Sequence, residues 1–89
     1  MPDRIAMIRT RLEQTLSPAR LDITDDSHLH MGHAGAASGA GHFSVVIVSD
    51  QFSGQNMVQR HRLVYLALGD MMPAEIHALS IKALAPGEI

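Results

Sequence analysis

The sequence predicts a two-layer α+β domain of order αββααβ, a three-stranded mixed sheet with its helices on one face. Three observations predict it. Ile5, Ile8, Leu12 and Leu16 recur at steps of three and four, the spacing of one helix face. His42 to Ser49 carries apolar residues toward both sides, the pattern of a strand enclosed in the middle of a sheet. A second helical period separates that strand from the last one, and a helical crossover is what lets two strands run parallel.

The first helix occupies residues 3 to 16, with Arg4, Arg9, Arg11 and Glu13 over much of its other surface and Pro2 acceptable at or before the first turn. Ser17-Pro18 ends it, because proline pushes the residue before it out of the helical region. Leu21-Asp22-Ile23-Thr24-Asp25 alternates apolar and polar side chains, as a half-buried strand does. Residues 28 to 41 hold four glycines and four alanines and no helical stripe, so they form a loop, of a length often reserved for function. In the strand that follows, Phe43, Val45 and Ile47 face one way and Val46 and Val48 the other.

Ser53-Gly54 marks a turn, and Asn56 suits the N-cap of the second helix. That helix covers residues 57 to 72, with Met57, His61, Val64 and Leu68 on its inward stripe. Gly69-Asp70 bends or breaks it, and Pro73 opens a short final turn. His77 to Leu84 is the last strand, Leu79, Ile81 and Ala83 lying opposite Ser80 and Lys82, and Pro86-Gly87 closes it. A hairpin joins the first two strands, while the second and third run parallel.

Composition narrows the function. The 89 residues read as a single domain spanning 1–89. A domain near this size hides only about 60% of its unfolded surface, so its core is modest. That core is aliphatic: Phe43, Phe52 and Tyr65 are the only aromatics of their kind, and six methionines fill gaps. So few aromatics argue against a stacking platform for single-stranded bases. The formal net charge of -2 lacks the basic excess of a typical nucleic-acid binder. Without cysteine there is neither a disulfide framework nor thiol chemistry. The early charges of Met1-Pro2-Asp3-Arg4 do not suit a secretory leader, and no apolar run approaches the roughly 18 residues of a membrane span. The expectation is a cytoplasmic protein of a bacterial cell, without a membrane partner, monomeric or weakly dimeric when alone.

Four of the six histidines fall between His28 and His42. His28 and His30 are two apart and share a face if the strand extends that far, and His33 follows a glycine able to turn the chain. Three imidazoles can converge on one ion, yet none of the usual ligand spacings is met. Spacing alone therefore favours a solvated polar loop over a metal site. Arg60-His61-Arg62 lies on the second helix, and guanidinium forks suit carboxylates or phosphates. The plainer reading has those arginines pairing with Asp25, Asp26 or Asp50 while His61 packs inward. His77 opens the last strand, where it is either a plain edge residue or an imidazole presented at a sheet end, next to the loop that ends at His42. No serine sits in a nucleophile elbow and no glycine pattern forms a phosphate cradle, so nothing supports an enzyme.

Taken together, Asp25-Asp26-Ser27-His28, Gly32-His33, His42-Phe43, Val48-Ser49, Phe52-Ser53-Gly54, Arg60-His61-Arg62 and His77-Ala78-Leu79-Ser80 resemble the BolA family, from about Ile5 to Glu88. The resemblance implies a class II KH-like fold. It implies a partner, a monothiol CGFS-type glutaredoxin, with which a [2Fe–2S] cluster is shared, glutaredoxin cysteine and glutathione supplying sulfur. The implied ligands here are His77 at the last strand and His33 in the loop, with His28 and His30 as rivals for the loop position. Imidazole in place of thiolate on one iron raises the reduction potential and makes the site proton-sensitive, as in Rieske centres. The same resemblance carries an alternative, a DNA-binding transcription regulator linked to stress response, using the helix-turn-helix-like region with Arg60, His61, Arg62 and Lys82. KH-style binding is not expected, because Gly32-His33-Ala34-Gly35 falls in the inter-strand loop and the Gly69-Asp70-Met71-Met72 join lacks a Gly-x-x-Gly.

Overall fold

The computed structural model describes residues 3–26, 41–74 and 76–88. Helix α1 (Arg4–Leu16) leads into strands β1 (Arg20–Asp25) and β2 (Gly41–Val48). A single 3-10 turn (Asp50–Phe52), helix α2 (Met57–Leu68), the short helical turn α3 (Met71–Ala74) and strand β3 (Ile76–Leu84) follow. The Asp3 carboxylate starts α1 by accepting from the N–H groups of Ile5 and Ala6 at 3.0 and 3.3 Å, which satisfies two otherwise orphan donors. Its other end is Ser17, whose left-handed φ of 45° lets its N–H reach the Glu13 carbonyl just before Pro18 stops the chain from continuing. Ile8, Leu12 and Leu16 are fully buried along the predicted stripe.

The sheet has the order β1-β2-β3. β1 pairs antiparallel with β2, from Arg20 opposite Val48 to Asp25 opposite Phe43, and β2 pairs parallel with β3. β2 is thus central, as its apolar residues toward both sides require. Phe43, Val45 and Ile47 of β2, with Ile76 and Ala83 of β3, meet Ile8, Leu12 and Leu16 of α1 and Val64 and Leu68 of α2 in one core. Leu21, Ile23, Leu79 and Ile81 pack at its margin. Ser49 stitches the layers together: its hydroxyl donates to the Leu16 carbonyl at 2.7 Å and accepts from the Gln51 N–H.

Two expectations are corrected. The second helix ends at Leu68, not at residue 72, because Gly69 takes φ 55° and ψ -125°, off the helical path. Arg11 fixes that break by donating to the Leu68 carbonyl at 2.6 Å and the Asp70 carboxylate at 2.9 Å. A Cβ on Gly69 would lie 3.2 Å from that guanidinium, so both conformation and space favour glycine. Pro73 consequently lies inside α3 rather than opening it, and Met72 leaves helical dihedrals at φ -101°, ψ 120°.

The inward stripe of α2 is the second correction. Arg60, Val64 and Leu68 are buried, whereas His61 is half-buried and Met57 is 54% exposed. An apolar count cannot find this face, because its first member is charged. Asn56 caps α2 as expected, in a reciprocal box with Gln59 whose two bonds are both 2.8 Å.

Candidate functional site

The start of β3 is irregular where it matters most. Gly41 of β2 pairs with Ile76, but the next residue, His42, pairs with Ala78. His77 is the extra residue of a β-bulge, with no ladder partner of its own. Bulges turn consecutive side chains away from strict alternation. Ile76 is fully buried, His77 and Ala78 are both exposed, and Leu79 returns to the core margin. The sequence feature responsible is an apolar Ile76 three residues, not two, before Leu79.

The bulge brings His77 against His42. Their rings lie 5.0 Å apart, centroid to centroid, and tilted by 52°. His42 is 8% exposed, and its backbone carbonyl accepts from the Asp26 N–H at 2.7 Å, tying the end of β1 to the same spot. The Asp26 carboxylate accepts from the Ser44 hydroxyl. Beside the pair, Asp26, His42, Phe43, Ala78, Leu79 and Ser80 line a small cleft of about 140 Å³. One exposed imidazole therefore rests on one buried imidazole at the end of the sheet, with a carboxylate and hydroxyls close by.

The loop candidates His28, His30 and His33 lie outside the described residues. Among the described residues no three histidine or carboxylate side chains converge as a metal site. Beyond the neighbouring His42 ring, further ligands for an ion at His77 would come from outside the described residues or from another chain.

The helix candidates separate. Arg60 is not displayed to a partner. It is 7% exposed, and its guanidinium donates to the Gln55 and Ala83 carbonyls at 2.8 and 3.0 Å and, through two nitrogens, to Glu88 at 2.6 and 2.9 Å. Glu88 also accepts from the Ala85 N–H at 2.8 Å. Bonded by the guanidinium and then by this N–H, the Glu88 carboxyl is held down at about 2, well below the usual carboxylate range. The same bond from Glu88 raises the Arg60 pKa, against the opposing effect of burial. Arg60 pairs with Glu88 rather than with Asp25, Asp26 or Asp50, which closes the chain's C-terminal turn onto the core.

His61 is half-buried, and its Nε2 is without a hydrogen-bond partner among the described residues. Arg62 and Lys82 are exposed. Lys82 alternates with core-facing Ile81 and Ala83, so it projects from the open face of the sheet, while Arg62 lies on the outer side of α2. The two cations occupy opposite sides of the domain and do not form one patch. Sequence reasoning set His77 beside the loop end at His42 without the ring contact between them, and it missed Glu88 as the partner of Arg60.

Residues 12–88 match the BolA family, described as BolA-like protein. The chain belongs to the BolA-like family. It is 45% identical over 87 residues to SufE-like protein 1, chloroplastic/mitochondrial, of Arabidopsis thaliana, covering 92% of this chain and 24% of that protein. BolA-like protein 1 of Mus musculus is 43% identical over 83 residues, covering 93% of this chain and 58% of its own length. The DNA-binding transcriptional regulator BolA of Escherichia coli (strain K12) is 39% identical over 79 residues, covering 84% and 72%. The solved BolA domain of SufE1 from Arabidopsis thaliana superposes with a TM-score of 0.86 at 42% identity, covering 100% of this chain and 99% of that one. This BolA-like chain is thus similar to a domain that occurs within longer proteins. Its small α+β architecture, with a three-stranded mixed sheet, is that of the solved relatives.

Proposed function

We propose that this BolA-like chain is a non-enzymatic partner of a monothiol CGFS-type glutaredoxin, with which it shares a [2Fe–2S] cluster through histidine. The observation that carries the reading is the exposed imidazole of His77, lifted out of the ladder by a bulge and seated on His42 at the end of the sheet. The donor chemistry fits. Imidazole binds iron well, and the chain has no cysteine, so sulfur ligands come from glutaredoxin and glutathione. His77 holds one position; His33, or its rivals His28 and His30, holds the other. With one iron bound by imidazole, the bound cluster gains a higher potential and sensitivity to protons. The chain's own part is to present His77 rigidly. Cluster assembly, transfer or iron regulation is the resulting role, and a reducing, cytoplasm-like compartment is its setting.

The test is an anaerobic titration of cluster-loaded monothiol glutaredoxin and glutathione with this chain, followed by visible circular dichroism. A new spectrum that His77→Ala abolishes is expected. An unchanged glutaredoxin spectrum sinks the reading.

A second reading, DNA binding in transcription control, is favoured by one observation, the 39% identity to a relative named as such a regulator. A class II KH-like fold is proposed on the family resemblance, but the Gly69-Asp70-Met71-Met72 join lacks the Gly-x-x-Gly of KH-style binding and does not favour this reading. Arg62 and Lys82 are its exposed cations, and Arg60 is committed to Glu88. Affinity for duplex DNA that falls steeply with salt and is weakened in Arg62→Ala or in Lys82→Ala would support it.

A further inference from the structure

We infer that His42 is a positioning residue for His77: its buried ring sets the direction in which the exposed imidazole is presented. The functional meaning of this inference rests on the cluster-sharing reading above. The argument begins at the bulge. A strand fixes the direction of a side chain through its ladder bonds, and His77 is the one residue of β3 that the bulge leaves without a partner in β2. Among the described residues no hydrogen bond or ion pair holds its imidazole, which is exposed. A solvent-exposed histidine samples several rotamers, and an ion bound to it must select one of them.

His42 has the opposite character. It is 8% exposed, sits in register with Ala78, and carries on its carbonyl the Asp26 N–H that anchors the end of β1. It is therefore a fixed surface. The tilted contact at 5.0 Å and 52° is the kind of geometry that aromatic pairs prefer. Ile76, fully buried on one side of His77, and Ala78, paired on the other, hold the backbone so that the ring meets this surface. Residues that orient a ligand from behind commonly matter nearly as much as the ligand itself. The inference assigns the orienting role to the aromatic face at position 42, and this separates a positioning residue from a third ligand.

Two substitutions make the test. His42→Phe keeps the face and removes both nitrogens, and His42→Ala removes the face as well. In the free chain, three-bond couplings across χ1 of His77 report its rotamers. A single rotamer is expected in the parent and in His42→Phe, and averaged couplings in His42→Ala. In the mixture with cluster-loaded monothiol glutaredoxin and glutathione, the half-life of the shared cluster against a chelator is measured. It should fall about tenfold in His42→Ala and change by less than about twofold in His42→Phe, the lower end of what loss of an orienting neighbour costs a metal site. Amide spectra establish that each variant is folded, and His42→Val replaces His42→Ala should the latter unfold.

A single His77 rotamer in folded His42→Ala overturns the inference. So does a half-life in His42→Phe as short as in His42→Ala, which would make His42 a nitrogen donor. If the parent chain forms no shared cluster at all, it is the cluster reading that fails, and the couplings alone then decide whether His42 orients His77.

Discussion

Arg60 is the first residue of the buried face of α2, a place where an unpaired cation would be expelled. It stays because Glu88 meets it with two bonds, and the Gln55 and Ala83 carbonyls take its remaining donors in reach. The pair makes stability depend on pH. The Glu88 carboxyl is held at about 2 in the fold against an ordinary 4.5. Its contribution is therefore complete above about pH 4.5 and disappears as pH falls through about 2. Urea unfolding of the parent and of Glu88→Gln at stepped pH should show the variant less stable at pH 7 and the gap closing over that acid window; a gap constant with pH contradicts the pairing. None of this was legible at positions 60 to 62. Periodicity places a charged residue outside, and the partner stands 28 residues further along the chain. His77 stands out by its type and its position at a strand start, and its ligand role comes from the family resemblance. The bulge that sets it on His42 was not legible, because register shifts arise from pairing between strands that are distant in sequence.

At the scale of the element, α2 carries a built-in comparison. Leu68 is fully buried, while Leu66, two residues earlier, is 76% exposed beside Arg62, Tyr65 and Gly69. Leu68→Ala should cost about 2–5 kcal/mol, as truncation of a buried leucine does. Leu66→Ala should stay within about 0.5 kcal/mol, as surface changes do. Chemical denaturation measures both, and comparable costs would misplace the helix face. Asn56→Ala should cost about 1 kcal/mol, since it strips the reciprocal cap from the start of the same helix. The cap was legible because it is a local pattern. The C-terminal end of α2 was legible only as a glycine, and its exact place depends on Arg11 reaching across from α1.

Across the whole molecule, the layer order follows from patterns that short segments carry by themselves: a helical stripe in α1, alternation in β1, and apolar residues toward both sides in β2. Strand order and the parallel pairing followed because the alternatives are few once a helix separates β2 from β3. The same layering sets Lys82 on the open sheet face and Arg62 beyond the helices, so a nucleic acid lying on one side meets only one of them. Each substitution alone, Arg62→Ala or Lys82→Ala, should therefore change the salt slope of any DNA binding by no more than about one unit, and only one of the two should change it at all. The central claim concerns the other end of the molecule, that a histidine of this chain binds the iron of a shared cluster. Pulsed electron paramagnetic resonance on the reduced mixture, with this chain labelled at histidine nitrogen and glutaredoxin unlabelled, tests it most directly. The account predicts strongly coupled labelled nitrogen that is diminished in His77→Ala. A cluster that forms with this chain bound and shows no coupling to labelled nitrogen would contradict it.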